Sequence, residues 1–379
     1  MSSQSNTNEF SAWLKASHKS HAVLWLSFSL IVSFSNIIYA EHNFAEQEFK
    51  IKAAVKGISK KNNIPSIGLA VSTAEGEFNF FYNHPEVSEQ SIYGIGSTTK
   101  LLAAVLMAHY AEQKQINLNE KVIGHINDTS MNHIDGLNDI TLLQLLRHES
   151  GISDYANNSD WLKLIAKNKA PESLNEKIKL IEPNLTSPGE FSYSNTNYLI
   201  LEKVVESITG FHSSEAFNDY YHKLGLNISI GTPKNNLQAF FAETEKSSND
   251  VSVFDEHYGF DGGAYTTPQE LLKLLSMLFL EKSILTQDSI SSMKNWNPMS
   301  PHEIPIGPGV ITKYGNGIMN LTYKGNSLVG HMGGTLKYQS FAFCNPENET
   351  IIVLMTNSSG RHYNNAFFQE LLPAVLDEL

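Results

Sequence analysis

The chain has 379 residues, a formal net charge of −12 and a single cysteine. This length exceeds that of a usual single domain, so we expect one large two-lobed domain or two domains. The acidic balance, −13 without residues 1–40, argues against a nucleic-acid partner. One cysteine excludes an internal disulfide and a cysteine-built metal site, and no histidine–carboxylate pair has metal-ligand spacing. We therefore expect no metal and no cofactor.

The first 40 residues differ in character from the rest. Lys15 and Lys19 precede an apolar stretch over residues 22–34 that can be extended to Ala40. This pattern is typical of a secretory signal, and the apolar core is shorter than the ~20 residues of a spanning helix. We predict a signal peptide over residues 1–40, with membrane anchoring through uncleaved residues 22–40 as the alternative. In both cases residues 41–379 would work outside the cytoplasm, in the periplasm or extracellularly.

The middle of the chain is predicted to be mainly helical. An amphipathic helix over residues 44–62 and a hairpin come first, followed by a long apolar helix after Ser97 and four further helices. The hairpin strands are predicted at residues 66–72 and 77–82, and the later helices at residues 140–147, at 160–182 in two pieces, and at 198–208. These helices form the predicted helical lobe, roughly residues 98–290.

The C-terminal third returns to strands. Periodicity predicts strands over residues 323–329, 338–344 and 350–357, then a final helix over residues 367–379. Cys344 lies in one of these apolar stretches and is interpreted as a buried residue. Strands at both ends with helices between them predict an α+β fold, with an antiparallel sheet built from both chain ends and flanked by helices.

Ser97 is the candidate nucleophile. It opens the long helix behind two glycines, and Lys100 lies three residues further on, on the same helix face. N–H groups at a helix start can stabilise a developing oxyanion, and a lysine whose surroundings favour the neutral amine can take the serine proton. A second Ser-x-x-Lys, from Ser291 to Lys294, lacks the glycine entry and the long apolar helix. We therefore expect no function for that copy.

Tyr193 and Asn195 are the candidate proton shuttle and substrate-orienting group. The segment Tyr193-Ser-Asn195 follows a Pro-Gly turn and opens a helix. A phenol near a cationic lysine can pass a proton to a leaving group, and an amide can bond both the lysine and a substrate amide. Two further Tyr-x-Asn copies, at residues 155–157 and 314–316, lack this context and are interpreted as plain loop residues.

A glycine-rich segment, Gly330-His-Met-Gly-Gly334, enters a predicted strand. Its glycines would let a substrate lie close to the strand edge, and the Gly334 amide could face that of Ser97 in an oxyanion hole. His331 is expected to supply positive or hydrogen-bonding character, with a structural histidine as the alternative.

Together these segments resemble the serine hydrolases of the penicillin-recognising kind. This group includes class C β-lactamases, serine D-Ala-D-Ala carboxypeptidases, and related esterases and D-aminopeptidases. The resemblance covers about residues 46–360 and includes Leu145-Leu-Arg-His-Glu-Ser-Gly-Ile152 and Asp261-Gly-Gly-Ala-Tyr-Thr-Thr267. It implies a β-lactamase/transpeptidase-like fold, with acylation of Ser97, acid/base roles for Lys100 and Tyr193, and substrate orientation by Asn195. It also implies an oxyanion hole made of the Ser97 and Gly334 amides, with Gly333 beside it in the substrate-binding segment.

One departure from the family pattern concerns the substrate. Met332 stands where a threonine hydroxyl of the family would help hold a substrate carboxylate, so we assign that task to Lys337. The expected function is an exported D-Ala-D-Ala carboxypeptidase or class C-type β-lactamase. The alternatives are a carboxylesterase, a penicillin-binding sensor without turnover and a scaffold that has lost its chemistry. The expected partner is a D-amino-acid peptide, a β-lactam or an ester.

Overall fold

The computed structural model describes residues 43–83, 87–126, 129–166, 173–184, 186–231, 233, 237–246, 248–251, 259–297 and 311–379. The chain divides into two units, residues 1–50 and 51–379. In the first unit, residues 43–50 are helical. The predicted leader, residues 1–40, lies outside the described residues, so its boundary and its fate stay predictions. Within the described ranges, no helix is both long enough and apolar enough to cross a membrane.

The second unit begins with helix α1 over residues 51–61. Ten further α-helices follow in the described residues: α2 Thr98–Glu112, α3 Leu142–Leu146, α4 Ser159–Ala166, α5 Leu174–Ile178, α6 Thr196–Thr209, α7 Ser213–Lys223, α8 Pro268–Leu275, α9 Gln287–Met293, α10 Arg361–Ala366 and α11 Leu372–Leu376. Segments of π-helix extend α8 over Ser276–Leu280 and join α10 to α11 over Phe367–Leu371.

The strands form one large and two small sheets. They are β1 Ser66–Thr73, β2 Gly76–Asn83, β3 Tyr93–Gly94, β4 Ser229–Ile230, β5 Phe240–Phe241, β6 Asn249–Asp250, β7 Ala264–Thr266, β8 Ile311–Tyr314, β9 Met319–Tyr323, β10 Asn326–Gly334, β11 Gln339–Asn345, β12 Thr350–Thr356 and β13 Ser358–Ser359. The large sheet has the order β2-β1-β12-β11-β10-β9-β8, and its pairs are antiparallel. The small sheets have the orders β13-β5-β6 and β3-β7-β4.

The large sheet joins the two ends of the chain. Strand β1 pairs with β12 in a register that places Leu69 opposite Leu354. Both residues are fully buried, so the N-terminal hairpin and the C-terminal meander share one apolar core. This confirms the predicted α+β fold class and the sheet built from both chain ends. Cys344 is buried in β11 as expected, and burial raises the pKa of its thiol to about 12.

Helices α2 and α8 pack on the same side of this sheet. A Cβ added to Gly68 in β1 would lie 2.8 Å from Pro268 Cγ, at the start of α8, so this contact requires glycine. The Thr98 hydroxyl of α2 hydrogen-bonds Ser340 Oγ of β11 at 2.8 Å. The start of α2 is thereby fixed against the strands.

The C-terminal third departs from the predicted elements at two places. The predicted strand over residues 323–329 is two strands, β9 and β10, because Lys324 and Gly325 have left-handed φ values of 46° and 90° and form a turn. The final helix begins at Arg361, six residues before the predicted start, directly after Gly360 with φ of 89°. Strand β8 was not predicted, and Tyr314 at its end was interpreted as a loop residue.

Candidate active site

Ser97 lies at the N-terminus of α2, immediately before its first turn. The chain enters this position through Gly96, whose φ is 56° and whose added Cβ would lie 2.6 Å from the Gly334 nitrogen. The Ser340 hydroxyl donates to the Ile95 carbonyl at 2.7 Å and holds the entry against β11. The first residues of α2 are buried, so the partly exposed Ser97 is presented from a rigid helix end.

Lys100 is completely buried one turn along α2. Its Nζ donates to Asn195 Oδ1 at 2.8 Å and to the Asp261 carbonyl, and it lies 3.0 Å from Ser97 Oγ. An ammonium group has three donors, and the amide and carbonyl oxygens can only accept. A neutral amine would keep both of those bonds and point its lone pair at the serine hydroxyl. The geometry therefore suits both protonation states of the lysine.

Asn195 is fixed from both sides. Its Oδ1 accepts from Lys100, and its Nδ2 donates to Asp154 Oδ2 at 2.9 Å. Since a carboxylate oxygen accepts here, Asp154 sets which end of the amide faces the lysine. Burial raises the pKa of Asp154, while bonds from Ala156 and Asn195 and the charge of Lys100 oppose this shift. Asn195 thus first orients the lysine, and its second N–H is left for the predicted contact with a substrate.

A buried charged network lies behind Lys100. The Asp261 carboxylate accepts from the Tyr155 hydroxyl and from the Gly259 amide, and it lies 3.5 Å from Lys177 Nζ. The backbone carbonyl of the same Asp261 accepts from Lys100, so this network holds one of the hydrogen-bond partners of the lysine in place. From the sequence, Asp261 was recognisable only as part of a structural signature, and Lys177 was not identified.

Glu202 gives this network a dependence on pH. Burial, with the nearby negative charge of Asp261, raises its pKa from 4.5 to about 7. The folded state therefore holds a proton on Glu202 at pH values where the unfolded chain has lost it. The stability that this group contributes is complete below pH 4.5 and is lost as pH rises through about 7.

We expect Glu202→Gln to remove this dependence. The amide keeps an acceptor for the Phe260 amide, which bonds Glu202 at 2.9 Å. Relative to wild type, the variant should gain up to about 3 kcal/mol in free energy of unfolding between pH ~4.5 and ~8. Urea unfolding across this pH range measures the difference. Parallel pH profiles for the two proteins would contradict the assignment of this titration to Glu202.

Tyr193 lies against the lysine and against a second aromatic ring. Its ring centroid lies 5.1 Å from Lys100 Nζ, and its ring stacks on His148 with a centroid distance of 4.2 Å. The Ser194 amide donates to His148 Nδ1, which ties the ring of His148 to the loop that carries Tyr193. His148 belongs to the family signature at residues 145–152, but its contact with Tyr193 required the tertiary structure.

Of the two characters that the sequence left open for His331, positive or hydrogen-bonding, the structure supports the hydrogen-bonding one. Burial lowers the pKa of His331 to about 3. The hydrogen bond to the Met332 carbonyl raises this pKa, and the positive charge of Lys100 lowers it further. The His331 Nδ1 lies 2.6 Å from that carbonyl and must be the donor, so Nε2 accepts from the Tyr314 hydroxyl at 3.0 Å. His331 is a neutral, hydrogen-bonded histidine.

Tyr314 is buried in β8, and Tyr155 is buried against Asp261, so the interpretation of these two as plain loop residues was wrong.

Gly333 and Gly334 bring β10 against the nucleophile. A Cβ on Gly333 would lie 1.9 Å from the Ile95 carbonyl and 2.5 Å from the Ser97 nitrogen. A Cβ on Gly334 would meet nothing within 4 Å. The strand backbone therefore lies beside the Ser97 amide, which is the placement that the predicted oxyanion hole requires.

These two glycines provide a matched pair of substitutions. Gly333→Ala should lower the free energy of unfolding by about 1–3 kcal/mol because the methyl group overlaps backbone atoms. It should also slow turnover by about 100-fold by displacing the Ser97 amide. Gly334→Ala should change stability by less than about 0.5 kcal/mol. Thermal unfolding and ester hydrolysis compare the two, and equal stability of both variants would refute the close approach.

Ser97, the candidate nucleophile, opens onto a cavity of about 430 Å³. Its described lining is Ser97, Tyr193, Met319, His331, Met332, Gly333, Gly334, Thr335, Gln339, Asn364 and Phe368. Lys337 is not on this wall and its side chain is buried, so the structure does not bring it to the position predicted for a carboxylate contact. A larger cavity of about 640 Å³ runs along the C-terminal half of α2 and contains none of the predicted catalytic residues.

The second Ser-x-x-Lys copy is not assembled as a site. Ser291 is exposed near the end of α9, and its hydroxyl accepts from Gln287 at 3.1 Å. Lys294 Nζ lies over the ring of Phe279 instead, 5.1 Å from its centroid. This supports the distinction drawn between the two copies from their sequence context.

A buried lysine on a serine hydroxyl at a helix start, with a tyrosine beside it, defines a serine acyl-transfer site. The family described as "Beta-lactamase" matches residues 51–372. The chain belongs to this family of serine hydrolases, which confirms the resemblance seen in the sequence.

Solved structures share the fold of this chain, and curated relatives are similar to part of its sequence. A D-amino acid amidase from Ochrobactrum anthropi SV3 superposes with a TM-score of 0.74 at 17% identity, over 88% of this chain and 98% of that one. A D-stereospecific amidohydrolase from a Streptomyces species gives 0.70 at 19% identity, over 86% and 97%. A teichoic acid D-alanine hydrolase of Staphylococcus aureus (strain MRSA252) is 26% identical over 201 residues, 50% of this chain and 46% of that protein. The chain thus spans about half the length of the curated relatives that it matches.

Proposed function

We propose that this protein is a serine hydrolase that forms an acyl-enzyme at Ser97 and cleaves the amide or ester bond of a D-amino acyl group. The observation that carries the proposal is the position of Lys100 Nζ, 3.0 Å from Ser97 Oγ and held by two oxygens that can only accept. Support for the D-amino acyl group comes from the relatives, two of which are named for D-amino acids or D-alanine.

The residues account for each proton in the reaction. Neutral Lys100 takes the hydroxyl proton as Ser97 Oγ bonds to the substrate carbonyl carbon, and the carbonyl electrons move to the oxygen held by the Ser97 and Gly334 amides. When this intermediate collapses, the bond to the leaving nitrogen or oxygen breaks. Tyr193 delivers the proton to that atom and regains one from Lys100. Water then attacks the ester carbon, its proton returns to Ser97 through the same groups, and the D-amino acid is released.

We also propose that the reaction takes place outside the cytoplasm. Support comes from residues 1–40 alone, where two lysines precede the apolar stretch over residues 22–34. Cell fractionation with an antibody against the C-terminus, with and without a mutated apolar stretch, tests this location. Recovery of the wild-type protein from the cytosol would remove the proposal.

The activity is tested with a chiral pair of substrates. Wild type should release 4-nitroaniline from D-alanine 4-nitroanilide faster than from the L enantiomer, and mass spectrometry should find a transient adduct on Ser97. The Ser97→Ala variant should show neither. Equal rates for the two enantiomers would reject the D-amino acyl group while leaving the serine mechanism intact.

A penicillin included in the same experiment separates the functions that the sequence suggested. A lasting adduct without cleavage of the anilide would assign the protein to the carboxypeptidases or to penicillin-binding sensors. A short-lived adduct with hydrolysed drug would indicate a β-lactamase. Rapid hydrolysis of a small ester, with no reaction on the anilide or on the penicillin, would indicate the carboxylesterase.

A further inference from the structure

The cavity continues from the nucleophile across the far face of β10 and β11. Gly333 pairs with Ser340, and Gly334 pairs with Gln339. Ser340 points to α2, where it bonds Thr98, and successive strand residues point to opposite faces. Gly334 and Gln339 therefore share the other face, which is the face that α10 covers through Asn364. Because a Cβ on Gly334 would meet nothing within 4 Å, there is open space directly beside Gln339.

We call this region the leaving-group subsite and define it by Met332, Gly334, Gln339, Asn364 and Phe368, all of which line the cavity. None of the described residues on the cavity wall is a lysine, an arginine, an aspartate or a glutamate. His331 is neutral at physiological pH because burial lowers its pKa to about 3. Arg361, one turn before Asn364, is exposed and lies 3.5 Å from Glu243 instead. Among the described residues, the subsite thus offers no positive side chain to a carboxylate.

Gln339 is held in one orientation within this subsite. Its Nε2 donates to the Ser358 carbonyl at 3.3 Å and to Asn364 Oδ1. A backbone carbonyl can only accept, so the NH₂ end of the amide must face Ser358 and the oxygen must face away from it. The side chain is 2% exposed, and Oε1 is buried with no hydrogen-bond partner in the described structure. Buried acceptors are rarely left unpaired in native proteins, and an unpaired one calls for a donor from elsewhere.

The proposed role of Tyr193 assigns this region to the leaving group of the substrate. Tyr193, which protonates the leaving group in the mechanism above, lines the same cavity as Gln339, whereas Asn195 does not. Met332 lines the same cavity, and an unbranched methionine side chain can adjust to the shape of a ligand.

We propose that Gln339 Oε1 accepts a hydrogen bond from an uncharged N–H or O–H donor on the leaving group, and that the subsite rejects a leaving group that ends in a carboxylate. This inference rests on the proposed function, and it narrows the substrates to carboxamide-like or polyol-like leaving groups. Asn364 acts as a positioning residue because it holds the Gln339 amide from the NH₂ side.

An isosteric pair of ligands tests the proposal. N-acetyl-D-alanyl-D-alaninamide and N-acetyl-D-alanyl-D-alanine differ only in a terminal amide or carboxylate. Calorimetry on the full chain carrying Ser97→Ala measures both affinities without cleavage. We expect the amide to bind at least about 10-fold more tightly, and we expect Gln339→Leu in this background to bring the two affinities within about twofold. Gln287→Leu, the same exchange on the exposed face of α9, should leave the ratio unchanged.

Three results with the Ser97→Ala protein overturn the proposal: equal affinities for the two ligands, no binding of either ligand, and tighter binding of the carboxylate. Retention of the amide preference in Gln339→Leu also overturns it. If Gln339→Leu does not fold, Gln339→Glu serves instead. It keeps an acceptor and adds a negative charge, so it should widen the preference for the amide, and a narrower preference overturns the proposal. Since these measurements involve no turnover, their failure is distinct from a failure to cleave D-alanine 4-nitroanilide, which concerns the proposed function.

Discussion

Replacement of Ser97 by alanine is expected to lower kcat/KM for the cognate substrate by about 10⁴-fold or more, since nucleophile removal leaves only binding and oxyanion stabilisation. The side chain is partly exposed at a helix end and receives a single hydrogen bond, from Lys100. The variant should therefore fold normally. Steady-state hydrolysis of the anilide and of a small ester, with circular dichroism, measures both properties.

Ser291→Ala is the matched control for this prediction. It makes the same exchange in the second Ser-x-x-Lys copy, at an exposed position of α9. Its rates should stay within about twofold of wild type, as for an exposed substitution away from a site. An active Ser97→Ala protein, or an inactive but folded Ser291→Ala protein, would show that Ser97 is not the nucleophile.

Replacement of Lys177 by methionine should have the largest effect on stability. Lys177 Nζ lies 3.5 Å from Asp261 Oδ2, and the two side chains are 2% and 1% exposed. Loss of one partner of a buried ion pair leaves the other charge uncompensated, at a cost of about 3–5 kcal/mol. Activity should fall as well, because the carbonyl of Asp261 holds Lys100.

Lys163→Met provides the comparison for this experiment. Lys163 pairs with Asp160 at 2.7 Å, but both side chains are about two-thirds exposed. An exposed pair of this kind contributes about 0–1 kcal/mol, so this variant should unfold nearly as wild type does. Urea titration of both variants decides the matter. A similar loss in the two proteins, or no loss in Lys177→Met, would show that the buried pair is not a structural requirement.

Much of the fold could be read from local periodicity. The hairpin of β1 and β2, the helix after Ser97, and α6 with its end at Gly210 have the predicted type and nearly the predicted bounds. In each of these segments burial, turn chemistry and propensity point to the same structure. The errors fall where a local backbone conformation decides the element, as at the turn of Lys324 and Gly325 that separates β9 from β10.

The residues of the candidate site likewise fall into those that a local motif identified and those that it did not. Ser97, Lys100, Tyr193 and Asn195 were recognisable because each has a short motif in a suitable context, and the structure brings all four together. Lys337 was assigned as a replacement for the threonine hydroxyl that Met332 lacks, without a motif of its own, and its side chain lies off the cavity wall.

By itself the sequence determined the α+β class and the family, and it identified the candidate nucleophile and its lysine, because these depend on periodicity and on spacings within one turn of a helix. The tertiary structure decided the partners of those groups. Asp154, Lys177, Gln339 and Asn364 contact the site or its supports from elements far apart in the chain. The charge state of His331 also depends on its burial among residues that the sequence does not place beside it. Contacts of this kind follow from how elements pack, and local sequence patterns do not encode that packing.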